Sequence, residues 1–199
     1  MLDTIAENKP DRRPVILACI YEADDLLWAG MDADGASALS TAGAQVRSLA
    51  PEEPAALAGL ISSQLADADC RAVLIIGRTR KSTGFRIQMR AENRALVGGG
   101  KISQIGPALA RATAPAAEMV RALIDVGLAA DATSESEEDA GSYLLYRVLT
   151  ALPDNLDAPA VGLLRAPISL HGDQLRLGLQ TATAAMARHL SPLPRARPS

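Results

Sequence analysis

Aromatic side chains are nearly absent: one Trp, three Tyr and one Phe among 199 residues, 3 % of the chain. With hydrophobic residues at 48 %, the core must be built from Ala, Leu, Val and Ile. The platforms on which single-stranded nucleic acid stacks are missing. Lysine is scarce as well. Of the 20 basic residues only Lys9, Lys81 and Lys101 are lysine, and the rest are arginine. This bias, with abundant alanine, fits a GC-rich bacterial coding sequence. The net charge of −3 provides no global basic field to recruit nucleic acid. The two cysteines, Cys19 and Cys70, have no metal-ligand spacing and form no disulfide framework. Each lies in or beside an apolar run and reads as a buried small hydrophobe in a reducing compartment. No apolar stretch reaches the ~18 residues of a membrane span. Residues 1–14 are polar and charged, with no apolar core of a secretory signal. The expectation is a soluble cytoplasmic protein without metal or cofactor and without nucleic-acid or membrane partners.

A chain of this length fits one domain and can bury a sizeable core. Residues 14–20, 71–77 and 160–164 are aliphatic runs and read as buried strands. Residues 45–50 make a weaker strand, 129–133 a short one, and 78–95 a charged strand in which Phe85, Ile87 and Met89 alternate. Helices are expected over 54–65, after a proline start, over 115–126, stopped by Gly127, over 139–152, ended by Pro153, and over 173–190. Met119, Val120, Leu123 and Ile124 should share one face. Residues 35–44 also read as helical, 21–34 as an acidic loop, and 96–107, with three successive glycines, as a flexible loop. The ends, 1–13 and 192–199, read as flexible segments flanking a domain over 14–191. Aliphatic strands alternating with amphipathic helices predict a single α/β domain, its sheet covered on both faces.

Several segments resemble one enzyme family in order and spacing. Ala140-Gly141-Ser142-Tyr143-Leu144-Leu145-Tyr146 is similar to the nucleophile segment of the pyroglutamyl (pyrrolidone-carboxylate) peptidases, roughly Ala-Gly-Ser/Thr-Tyr/Phe-aliphatic-Cys-Asn. Gly162-Leu163-Leu164-Arg165-Ala166-Pro167 resembles their Gly-Phe-Ile-His-Val-Pro. Gly106-Pro107 followed by Pro115 and Glu118-Met119-Val120 resembles a Gly-Pro…Leu-Pro…helix passage, and Gly127-Leu128-Ala129-Ala130 a Gly-Ile-Pro-Ala strand entry. Arg86, Glu92 and Ala95 resemble Arg…Glu-Arg-Val-Ala-Ile-Asn, which puts Glu92 at the family's catalytic glutamate. The resemblance covers roughly residue 71 to the C-terminus. It implies a three-layer α/β/α fold with a mixed central sheet, and it admits homo-oligomers.

The departures fall on the chemistry. Leu145 stands where the resemblance places the nucleophilic cysteine, and Arg165 where it places the histidine base. The family's Gly-Phe-x-Pro-Phe-Gly after the first strand, which helps form the pyroglutamate pocket, is replaced by Tyr21-Glu22-Ala23-Asp24. Acyl transfer needs a nucleophile, a base in reach and oxyanion donors. Leucine cannot attack a carbonyl, and arginine stays protonated and cannot act as a base. Ser142 lies three residues before Leu145, nearly on the same helical face, and is a substitute nucleophile only if Glu92 serves as its base. A buried Arg165 requires a carboxylate, and Glu92 is expected to pair with it or with Arg86. Arg78, Arg80, Lys81, Arg86, Arg90, Arg94 and Lys101, joined by Arg165, would turn the former active site cationic. That arrangement suits an anionic ligand or peptide carboxylate, held by Arg78, Arg86, Arg165 and His171, which follows Pro167 near a strand end. A solvated charged strand is the plain alternative. Residues 134–139, longer and more acidic than the family's linker, are either a lid, an interaction loop or a solvated helix start. Three functions remain open: a non-catalytic relative that binds a ligand or partner at the old site, a hydrolase with rewired residues, and a structural or interaction protein.

Overall fold

Within a covered sheet each strand must be apolar on both faces, and the three aliphatic runs become its centre. The computed structural model describes residues 11, 13–21, 39–50, 52–153 and 158–190. Strands β1 (Val15–Ile20), β3 (Cys70–Thr79) and β8 (Ala160–Pro167) lie side by side in parallel, with β2 (Gln45–Leu49) outside β1. On the far side of β8, β4 (Phe85–Gln88) runs antiparallel to it, and β7 (Ala130–Thr133) pairs parallel with β4. The sheet is therefore mixed, six strands in the order β2-β1-β3-β8-β4-β7. A separate two-stranded hairpin joins β5 (Arg90–Glu92) and β6 (Leu109–Arg111).

Four helices are described: α1 (Pro54–Gln64), α2 (Ala116–Asp125), α3 (Ala140–Ala151) and α4 (Gly172–His189). Two apolar clusters, one on each face of the sheet, make the core. Ile16, Leu74, Ile76, Phe85, Ile87 and Leu164 meet α2 and α4. Leu17, Cys19, Val73, Ile75, Val161 and Leu163 meet α1 and α3. Alternation along β3 and β8 sends successive residues to opposite faces, and this decides where each charged residue of these strands can act. The expected three-layer α/β/α arrangement with a mixed sheet is what forms.

Most expected elements form within a residue or two of their predicted ends. Gly127, with φ +80°, ends α2 as expected. Four details differ. The single charged strand expected over 78–95 is instead the end of β3, an irregular stretch over 80–84, β4, and the separate hairpin strand β5. Residues 39–44 are turns closed by a Thr41–Ala44 bridge rather than helix. The rest of that segment, like the acidic loop after Tyr21 and nearly all of both termini, lies outside the described residues. β6 had no alternating apolar pattern to announce it: its burial runs exposed, buried, exposed over Leu109-Ala110-Arg111, and its partner β5 defines it. Ile124 does not share the buried face of Met119 and Leu123 but is exposed, because four successive apolar positions span more of a helix than one contact can cover. On β4 both faces are covered, so Gln88 is as buried as its neighbour Ile87. No described helix is long and apolar enough to cross a membrane.

Candidate functional site

The C-terminal halves of β3 and β8 meet the N-terminus of α3 on the α1/α3 face. Arg165 points to this face from β8, one residue beyond apolar Leu164, and is 1 % exposed. A guanidinium in that setting needs every donor satisfied. Asp139, the N-cap of α3, supplies most of the answer. Its carboxylate pairs bidentately with Arg165: Nη2 donates to Oδ1 at 2.8 Å and Nη1 to Oδ2. Gln88 Oε1 accepts from Nη2 at 3.2 Å and from Nε at 3.4 Å, and Ser142 Oγ accepts from Nη2 at 3.0 Å. Tyr21 Oη accepts from Nη1 at 3.0 Å and donates to Asp139 Oδ2 at 3.2 Å. Glu137 stands 3.6 Å from Nε and accepts a bond from Thr79 Oγ1 at 2.8 Å. Burial alone would lower the pKa of Arg165, but the hydrogen bonds to Asp139 and the neighbouring negative charges hold it above the ordinary arginine value. It is a permanent cation with its charge already matched.

Two glycines make room for this cluster. A Cβ at Gly77 would lie 2.1 Å from Tyr21 Oη, and one at Gly141 2.4 Å from the same atom. The Tyr21 ring therefore lies against bare backbone on β3 and on the first turn of α3. The helix itself starts where Asp139 accepts from the Ser142 amide at 2.9 Å, a regular side-chain cap. One carboxylate thus serves as helix cap and as counter-ion.

The residues proposed from sequence take different places. Leu145 is fully buried in the apolar cluster with Cys19 and Val161. It fills the space beneath α3 and offers nothing to solvent. Ser142 is buried, and its hydroxyl lies 3.2 Å from Gln88 Oε1 as well as on Arg165. Among the described residues no base contacts it. Glu92 is not the partner of Arg165 or Arg86. It sits on the hairpin, outside the main sheet, whereas Arg86 pairs with Asp131, its register partner on β7, and with Glu135.

The expected cationic patch does not form, for a topological reason. Arg78 leaves β3 on the face opposite Arg165, is buried, and donates to the carbonyls of Ile168 and Leu170 at 3.2 and 2.8 Å. His171, at the N-cap position of α4, is exposed and lines neither cleft described below. Meanwhile the acidic run 134–139 supplies carboxylates to arginines from three separate segments. Glu135 meets Arg86, Glu137 and Asp139 meet Arg165, and Glu138 meets Arg94. The Ser134 carbonyl takes Arg90 Nε at 2.7 Å. The run is neither a bare solvated turn nor a free lid, but the counter-charge of Arg86 on β4, Arg165 on β8 and Arg94 just after β5.

A cleft of about 110 Å³ opens beside this network, lined by Glu92, Arg94, Leu96, Glu138, Ser142 and Tyr143 among others. Its walls carry more carboxylate than arginine. Reading the sequence alone missed Tyr21, Gln88, Asp139 and Glu137. The available signal was the N-cap position of Asp139 just before the Ala140-Gly141-Ser142 segment. No three or more His, Cys, Asp or Glu side chains are grouped to hold a metal among the described residues.

No protein-family model matches the sequence, and no curated protein matches it. Solved structures do. Pyroglutamyl peptidase I from Bacillus amyloliquefaciens superposes with a TM-score of 0.74 at 14 % identity, over 90 % of this chain and 97 % of that one. Pyrrolidone carboxyl peptidase from Thermus thermophilus gives 0.65 at 18 % identity, over 88 % and 100 %. The Thermococcus litoralis enzyme gives 0.66 at 12 %, over 89 % and 94 %. At such identities the likeness is one of fold, and by that measure the chain has the fold of the pyroglutamyl peptidases.

Proposed function

We propose that this chain is a pyroglutamyl-peptidase-like protein without cysteine peptidase activity, and that it acts by binding a ligand or partner at the remodelled site. The observation that carries the reading is the pair Leu145 and Arg165. The first is sealed in the core where the resemblance places the thiol. The second is tied into a five-residue network where the resemblance places the base. Neither can take part in acyl transfer. Ser142 does not restore a hydrolase. An activated serine must give its proton to a base, and this hydroxyl is held by a guanidinium and an amide. An anion at Arg165 is also disfavoured, because Asp139 and Glu137 already neutralise that charge.

The test is turnover of a pyroglutamyl-aminocoumarin substrate by the native chain and by a Leu145→Cys, Arg165→His double variant. Both are expected to be silent: the new thiol would be buried, and the new imidazole would inherit carboxylates that need a permanent cation. Native turnover with kcat/KM above about 10⁴ M⁻¹s⁻¹ would overturn the reading and send the search to another nucleophile. Activity only in the variant would mean that the pocket survives and that the chemistry alone was lost.

A further inference from the structure

Arginines opposed directly across strands repel and lower sheet stability. The described strands contain two such pairs, and the structure treats them differently. Arg86 faces Arg165 across β4 and β8. Each of these has its own carboxylates, Asp131 and Glu135 for the first and Asp139 and Glu137 for the second. Arg90 faces Arg111 across β5 and β6. Among the described residues neither makes an ion pair. Among the described residues the pair has one side-chain anchor, the bond from Arg90 Nε to the Ser134 carbonyl at 2.7 Å. That bond fixes one edge of the guanidinium and leaves the outer nitrogens of Arg90, and all of the Arg111 fork, for another acceptor. Glu92 follows two residues after Arg90, but it lies beyond ion-pair distance of both and lines the other cleft.

These two arginines border a groove of about 410 Å³ whose remaining wall is largely apolar: Met89, Leu109, Ala112, Ala114 and Ala116, with Ser134 at one side. That volume is in the range of small-ligand sites. Met89 and Leu109 are both exposed there. Ala116 also begins α2, which carries Glu118 in its first turn.

We propose that this groove binds a small organic anion, a carboxylate or phosphate carried on an apolar body. The headgroup bridges the forks of Arg90 and Arg111, and the apolar body lies along Met89, Leu109 and the alanines. Arginine forks match such headgroups in a bidentate way, and a bridging anion relieves the repulsion that the first pair relieves with its own carboxylates. The groove is separate from the cleft beside Arg165. Peptidase turnover would defeat the reading of that cleft and leave this one standing.

The experiment is calorimetric titration of the full chain with octanoate, octyl phosphate and uncharged octanamide. Octanoate or octyl phosphate should bind, with the tighter of the two identifying the headgroup, and octanamide should bind at least ten-fold more weakly. Arg90→Gln and Arg111→Gln should each weaken the anion by roughly ten-fold or more, as loss of a charged hydrogen bond implies. Arg111→Lys, which keeps the charge on an exposed position, should fall between, and it serves should a glutamine variant fail to fold. Equal binding of octanamide, unchanged affinity in all three variants, or no binding of either anion at millimolar concentration would each overturn the proposal.

Discussion

Replacing Asp139 by asparagine isolates one charge. Asparagine caps a helix about as well as aspartate, so the start of α3 and its bond from the Ser142 amide should persist. What is lost is the negative charge facing a guanidinium that is 1 % exposed. Breaking one side of a buried ion pair costs about 3–5 kcal/mol, because the surviving charge is left uncompensated. Here Asp139 is itself 25 % exposed and Glu137 remains 3.6 Å from Nε, which argues for the lower end, about 3 kcal/mol. For a domain of this size that is a fall in Tm of roughly 6–12 °C. Urea unfolding of Asp139→Asn, Arg165→Met and the double variant gives the measurement. The double variant should regain most of the loss, since removing both charges leaves none buried. The cost should also be flat between pH 6 and 10. Arg165 has its folded pKa raised above the ordinary arginine value, so the stability it contributes is fully present below that ordinary value and is lost only as pH rises through the folded pKa. A loss under about 1 kcal/mol for Asp139→Asn, or a double variant no better than the single ones, would refute the claim that this network is a buried, mutually dependent unit.

Two further outcomes follow from burial. Cys19 and Cys70 have their thiol pKa values pushed up, mainly by burial, to about 12 and about 11 from 9.0. Raised values mean stability that is intact below pH 9 and declines from there toward pH 11, where the unfolded chain sheds thiol protons that the native one keeps. The slope should approach about 1.4 kcal/mol per pH unit per thiol. A Cys19→Ala, Cys70→Ala variant should flatten it, and Ellman's reagent should label neither thiol before unfolding; rapid labelling of the native chain would contradict the burial. Gly141→Ala, ordinarily helix-favouring, should destabilise by about 1–3 kcal/mol through overpacking against Tyr21. A higher Tm in that variant would show that Tyr21 does not occupy this place.

The layered α/β fold was legible because its cause is local. The aliphatic runs that became β1, β3 and β8 cannot tolerate water on either face, and Gly127 and Pro153 each end the preceding helix through their own backbone chemistry. The proposed lack of cysteine peptidase chemistry rests on local facts too, since Leu145 and Arg165, where the resemblance places the thiol and the base, lack the required atoms in any conformation. The elements that escaped depended on partners. β6 has only Ala110 buried and becomes a strand through its pairing with β5.

Charge pairing was the part that reading along the chain misjudged. Proximity in sequence pointed from Arg86 and the arginines around it to Glu92, and the resemblance joined Arg165 to Arg78 and its neighbours. The alternation of strand faces places Arg78 and Arg165 on opposite sides of the sheet. The crossing from β7 into α3 carries the run 134–139 back over β4 and β5. What the sequence determined by itself was everything that follows from one residue's own chemistry and its near neighbours: the apolar strands and the helix ends. What only the tertiary structure decided was which charges meet. An ion pair depends on a few ångströms of separation between residues that may be dozens of positions apart, as Asp139 and Arg165 are, and that distance is set by strand order, which no local pattern encodes.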